Sequence, residues 1–229
     1  MSVLTFNLPS GSFLNRYLEK KQGRALFNVA ALLVLFTVFY NVAEGIVSVW
    51  FGAGEETLSL FGFGLDSFVE VLSGIGVAHL LYRSREMPAA QRDGFERTAL
   101  RITGTGFYLL AAGLTAGSLY NIIMGHTPES GIPGIIISVI SLVLMFLLMN
   151  AKRITGELMK SDALIADASC TKTCFYLSAI LLFSSLVFEL TGFGFIDSLG
   201  SLGIAWYAYK EGKEAFDKAK SGVLKCTCH

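Results

Sequence analysis

The chain reads as an all-α polytopic membrane protein with six transmembrane helices, and three observations carry that reading. It is 53% hydrophobic and 16% charged, against roughly 25% charged in an average soluble domain, with a mean hydropathy of +0.58. Its charges gather in short polar connectors between long apolar runs. The basic residues outside the apolar runs fall in alternate connectors. No basic tract of the kind that binds nucleic acid is present. The N-terminal MSVLTFNLPSGSFLNRYLEKKQGR is polar and basic, and the apolar run behind it is too long for a signal-peptide core, so no cleaved signal is expected.

The spans follow in order, each set against the roughly 30 Å of hydrocarbon that about 20 helical residues cross. Span one covers 25–49, span two 58–82 and span three 99–124. Span four covers 134–151, span five 163–190 and span six 195–209, the last short and broken by glycine. Arg16, Lys20, Lys21 and Arg24 precede span one, and Arg83, Arg85, Arg92 and Arg97 lie between spans two and three, with Arg101 at the very start of span three. Lys152, Arg153 and Lys160 lie between four and five; Lys210, Lys213, Lys218, Lys220 and Lys225 follow span six. The other connectors, GAGEET, GHTPESGIP and TGFGF, contain no Lys or Arg. The positive-inside rule therefore puts both termini in the cytoplasm. The organisation read from this is a cytoplasmic segment 1–24, a membrane bundle 25–212 and a short cytoplasmic tail 213–229, with a bacterial inner membrane as the expected setting. Small residues on span three (Gly113, Gly117) and span six (Ser198, Gly200, Ser201, Gly203) favour close helix packing in lipid, within one chain or between two. Gly62, Gly64, Gly74 and Gly76 flank the acidic pair of span two, where a bend or helix shift could be accommodated.

Two spans carry side chains that hydrocarbon does not favour. Asp66 and Glu70 stand four apart in GLDSFVEVLSG, and Cys170 and Cys174 stand four apart in ALIADASCTKTC. Residues at i and i+4 share one helix face, so two such helices opposed would gather two carboxylates and two thiols. Ionisable groups at membrane depth mark ion pathways or bound ions by default. Like charges at this spacing repel in low dielectric unless a cation neutralises them, which suits exchange of protons for a metal ion. Thiolates favour zinc and softer ions such as cadmium, mercury or cuprous copper, and their deprotonation on loading releases protons. A disulfide between cysteines one helical turn apart is disfavoured by geometry. Buried cysteines that serve only as small apolar side chains are the bland alternative.

Accessory candidates surround these four. Asn41 and Glu44 on span one are placed to support the acidic pair or relay protons, although the outward position of Glu44 also fits an interfacial role. Asp167 is either a carboxylate that helps ions in from the cytoplasm or an interface residue at a helix start. Cys226, Cys228 and His229 in the terminal KCTCH form either a soft-metal site or an incidental tail. His79 is expected near the interface, His126 in an external connector without a sequence partner, and Asp197 as the N-terminal cap of its own helix. No cofactor fingerprint, CxxC redox motif or nucleophile with a recognisable base points to an enzyme.

The stretches NVAEGIVSVWFG, LSLFGFGLDSFVEVLSG and SDALIADASCTKTCFYLSAILL, with the glycine-rich last span and its Asp197, resemble the transmembrane domain of the cation diffusion facilitators over about residues 41–212. The most specific elements are DSxxE on span two and the ADA that opens span five. The resemblance implies a cation-efflux-like bundle whose metal ligands are Asp66 and Glu70, with Cys170 and Cys174 where the family has His and Asp. It further implies a homodimer that exchanges a metal ion for protons by alternating access, with no cofactor besides the transported ion. Two departures stand out. Sulfur replaces nitrogen and oxygen on span five, which either retunes the site to a softer metal or marks a transport-dead metal-binding or regulatory protein of the same fold. Where the family usually carries a cytoplasmic ferredoxin-like domain, the expectation here is only the short basic tail that follows Tyr209. The expectation is a metal-cation transporter of the bilayer, with a channel as the remaining competitor.

Overall fold

The computed structural model describes residues 13–83, 89–159 and 162–221. Among them the chain forms six α-helices and no strand: α1 (Phe13–Gly54), α2 (Leu58–Arg83), α3 (Ala89–Met124), α4 (Ile132–Met159), α5 (Asp162–Thr191) and α6 (Phe195–Ser221). Five contain segments long and apolar enough to cross a membrane: 25–54, 58–76, 100–124, 132–159 and 167–191. The sixth differs from the six-span expectation in composition rather than length. At 27 residues α6 would reach across a bilayer, but its second half, KEGKEAFDKAKS, is strongly polar. α6 nevertheless lies along α3 and touches α5 and α2 within the bundle.

The bundle is apolar outside, and its interior combines an apolar core, with Leu60, Phe63, Leu177, Leu181 and Ile204 at its centre, with many small polar side chains. Leu32, Phe39, Trp50, Ile123 and Leu190 stand exposed on its surface. Serines, threonines and carboxylates such as Ser48, Ser67, Ser141, Thr171 and Ser178 are buried between the helices. That distribution belongs to a protein whose solvent is hydrocarbon, where apolar contact gives helices no reason to associate and small polar side chains supply close packing and hydrogen bonds. Gly64 shows the packing at its tightest: a Cβ there would collide with Ser48 and Val49 of α1. On α3, Gly117 abuts Leu58, whereas Gly113 has no atom of the chain near it.

α2 is the hub, in contact with α1, α3, α5 and α6, while α4 packs on α5 and α1. The helices carrying the acidic pair and the cysteine pair therefore face each other. At one end of the bundle the connectors interlock. Glu129 N donates to Glu55 O at 2.9 Å, and the Thr57 hydroxyl donates to Ser130 O at 3.3 Å. Asp197, expected to cap its own helix, caps α2 instead: its carboxylate accepts Leu58 N at 2.8 Å, Ser59 N at 3.1 Å and the Ser59 hydroxyl. The first amides of α2, which have no partner within the helix, donate to this carboxylate, while the Thr57 hydroxyl is turned toward Glu55 O and Ser130 O. Glu189 of α5 does the same for α4, accepting Gly131 N at 2.9 Å.

At the opposite end the helices run past the expected membrane boundaries. α1 begins at Phe13, α3 at Ala89, and α6 continues to Ser221, so much of the basic sequence read as connector is helical. Lys152 corrects the connector reading more sharply, since it lies within α4 and is 0% exposed. Cys226, Cys228 and His229 lie outside the described residues.

Candidate metal centre

α2 turns Asp66 and Glu70 inward as one face, and α5 turns Cys174 toward them. One ligand atom from each of these three residues lies within 4.8 Å of the other two. Asp66 is 1% exposed and Glu70 8%, and Cys174 is equally buried. Asp66 Oδ1 has no hydrogen-bond partner. A buried carboxylate oxygen left unpaired is costly unless something absent from the apo protein meets it. Two acidic oxygens and a thiol converging around it form a donor set suited to a divalent metal ion.

Cys170 lies outside this group. It is half-buried on α5, one turn toward the end at which α1 begins and α6 finishes. There it lines a narrow cavity of about 50 Å³ together with Glu70, Thr173, Glu211 and Lys218. A wider cavity of about 340 Å³ shares Cys170, Thr173, Glu211, Glu214 and Lys218. The two adjoin through these shared residues: the wider one has a mixed polar and apolar wall, and the narrow one, which reaches Glu70 and has room for water, is walled mostly by apolar side chains such as Leu100, Phe107 and Ala215. Glu211, beyond the apolar part of α6, accepts a hydrogen bond from the Thr173 hydroxyl at 2.9 Å. Burial pushes its carboxyl above the ordinary range, and the Thr173 bond opposes that shift.

The accessory residues divide. Asn41, 1% exposed, donates from Nδ2 to Glu70 Oε2 at 2.8 Å, and its Oδ1 is buried without a partner. Glu44 is not interfacial. It is buried between α1 and α2, accepting the Tyr40 hydroxyl at 2.8 Å and the Ser67 hydroxyl at 3.1 Å, with Ser141 also within hydrogen-bonding reach. Ser178 extends this polar region, donating to Ser141 Oγ at 2.9 Å.

Asp167 sits at neither an interface nor an opening. Its carboxylate is buried against Lys152 Nζ at 2.8 Å, and that ammonium also donates to Thr171 Oγ1 at 2.9 Å. The pair joins α4 to α5 beside the centre, close enough for the ammonium to act electrostatically on Glu70. The sequence reading missed it because Lys152 follows an apolar run and reads as the first basic residue of a loop. Its signal lay in the spacing: Ser138, Ser141, Met145, Leu148 and Lys152 recur on the buried face of one helix. At the other end, His126 acquires a neighbour not visible in sequence, Glu56, whose carboxylate lies 3.8 Å from Nδ1 in an exposed setting. His79 is half-buried on the last turns of α2.

Neither a scan against models of known protein families nor a search of curated proteins finds a match to this chain.

Proposed function

We propose that this protein is a transmembrane carrier of a divalent metal cation, exchanging the ion for protons. The observation that carries this reading is the converging, buried set of Asp66, Glu70 and Cys174, with an unpaired carboxylate oxygen, at the heart of a helical membrane bundle. A metal ion reaches the set through the adjoining cavities past Cys170 and Glu211. Carboxylates and thiolate must be deprotonated to ligate, so loading expels protons. Rocking of α2 against α5 toward the other face would expose the ion to a compartment where reprotonation releases it. Proteins with intramembrane carboxylates use them in this way, as ion sites and proton relays.

The resemblance to the cation diffusion facilitators supports the same reading, with one revision to the ligands. Cys174 acts as ligand, and Cys170 lines the route. Placing the basic end in the cytoplasm of a bacterial inner membrane follows from the distribution of Lys and Arg, and efflux is then the direction that proton exchange drives. A homodimer is implied by the resemblance alone.

The test is uptake of zinc, cobalt, cadmium, mercuric and cuprous ions into proteoliposomes under an imposed pH gradient. Wild type is expected to carry a divalent ion and Cys174→Ala to lose that transport. Wild type that folds and binds metal but carries none of the ions would instead identify a transport-dead binding protein.

A further inference from the structure

Resting on the reading of a carrier centred on Asp66, Glu70 and Cys174, we propose that Asn41 of α1 supplies the fourth metal ligand through its side-chain oxygen. The site would then take borderline divalent ions of the zinc, cobalt and cadmium class.

Three ligands leave a tetrahedral ion one donor short, and the remaining cysteine of α5, Cys170, is not one of the three converging residues. Asn41 touches one of them directly. Its amide nitrogen is fixed to Glu70 Oε2 at 2.8 Å, so the oxygen on the same carbon lies near Glu70. The reverse orientation of the amide would press its oxygen against a carboxylate oxygen. As oriented, Oδ1 is buried without a partner, and so is Asp66 Oδ1. Two orphaned oxygens, one on Asn41 bonded to Glu70 and one on Asp66 a helical turn from Glu70, each on a residue 1% exposed, call for an electrophile. One cation bound to Glu70 would satisfy both.

The donor set fixes the ion class. Three oxygens with one sulfur match zinc, cobalt or cadmium, whereas cuprous and mercuric ions favour sites dominated by sulfur. Asn41 also ties the ion to a third helix, so that binding is felt by α1 and by α4, on which α1 packs.

The alternative role for Asn41 is to position Glu70 through its N–H alone, and the experiment separates the two. Cobalt is titrated into the purified full chain in detergent, following the sulfur-to-cobalt charge-transfer band, for wild type, Asn41→Leu and Asn41→Asp. Asn41→Asp keeps the oxygen and removes the N–H. A ligand predicts that Asn41→Leu weakens cobalt binding by roughly 10–100-fold or more while Asn41→Asp binds at least as tightly as wild type, each retaining the single-sulfur band. Unchanged affinity in Asn41→Leu, or equal weakening in both variants, overturns the assignment and leaves Asn41 a positioning residue. Should Asn41→Leu fail to fold, Asn41→Ala takes its place. Absence of cobalt binding in wild type would remove the carrier reading itself, a result independent of the variants.

Discussion

Each residue of the centre has a separable job, and single substitutions should show it. Cys174 faces Asp66 and Glu70, whereas Cys170 faces the approach. Cys174→Ala should abolish zinc binding measured by calorimetry in detergent, while Cys170→Ala should leave equilibrium affinity near wild type. Equal loss in both would return Cys170 to the ligand set. The Lys152–Asp167 pair makes a second prediction at this scale. Removing one partner strands a charge in the bundle, so Lys152→Ala should destabilise by about 3–5 kcal/mol, whereas a Lys152→Met, Asp167→Leu double variant should recover most of that loss. Denaturant unfolding of the four forms in a double-mutant cycle reads the coupling. A recovery of nothing would mean that the pair does not carry the stability assigned to it.

The helices place these residues by stripes of polarity rather than of apolarity. On α1, Thr37, Asn41, Glu44 and Ser48 are buried in a row at spacings that keep to one helix face. Asp167, Thr171, Cys174 and Ser178 make the matching row on α5. In water the apolar stripe alone marks the inward face; in lipid both faces are apolar, so the buried polar rows are what mark it. Helix ends follow a related logic. Asp197 and Glu189 cap helices other than their own, which locks the connectors of one end together. Asp197→Ala should cost about 0.5–2 kcal/mol and speed hydrogen exchange at the Leu58 and Ser59 amides; unchanged protection there would contradict the cap. The sequence made the helices and the pairing of α2 with α5 legible, because apolar length and i,i+4 spacing are local properties. It did not reveal the partners of Asp197 or Lys152, which come from residues 138 and 15 positions away along the chain. Nor did i,i+4 spacing separate Cys170 from Cys174. Both share the inward face of α5, but only the position level with Asp66 and Glu70 meets them, and that level depends on how far α5 is shifted along α2.

At the scale of the whole molecule, the features form one device. The connectors are interlocked at one end, and from the other two adjoining cavities, past Cys170 and Glu211, lead toward Glu70 of a buried donor set. An apolar exterior seats the bundle in a bilayer. A channel needs a continuous path with weak binding, whereas a deeply buried set with unpaired oxygens favours capture and release by a conformational change. The measurement that tests this most directly is simultaneous recording of lumenal zinc and lumenal pH in proteoliposomes, for wild type and Asp66→Asn. Asp66→Asn retains the shape of the site and removes one charge from it. The account predicts that zinc moving through wild type is accompanied by protons moving the other way, and that both signals vanish together in Asp66→Asn. Zinc flux without proton movement, or undiminished flux in Asp66→Asn, would contradict it.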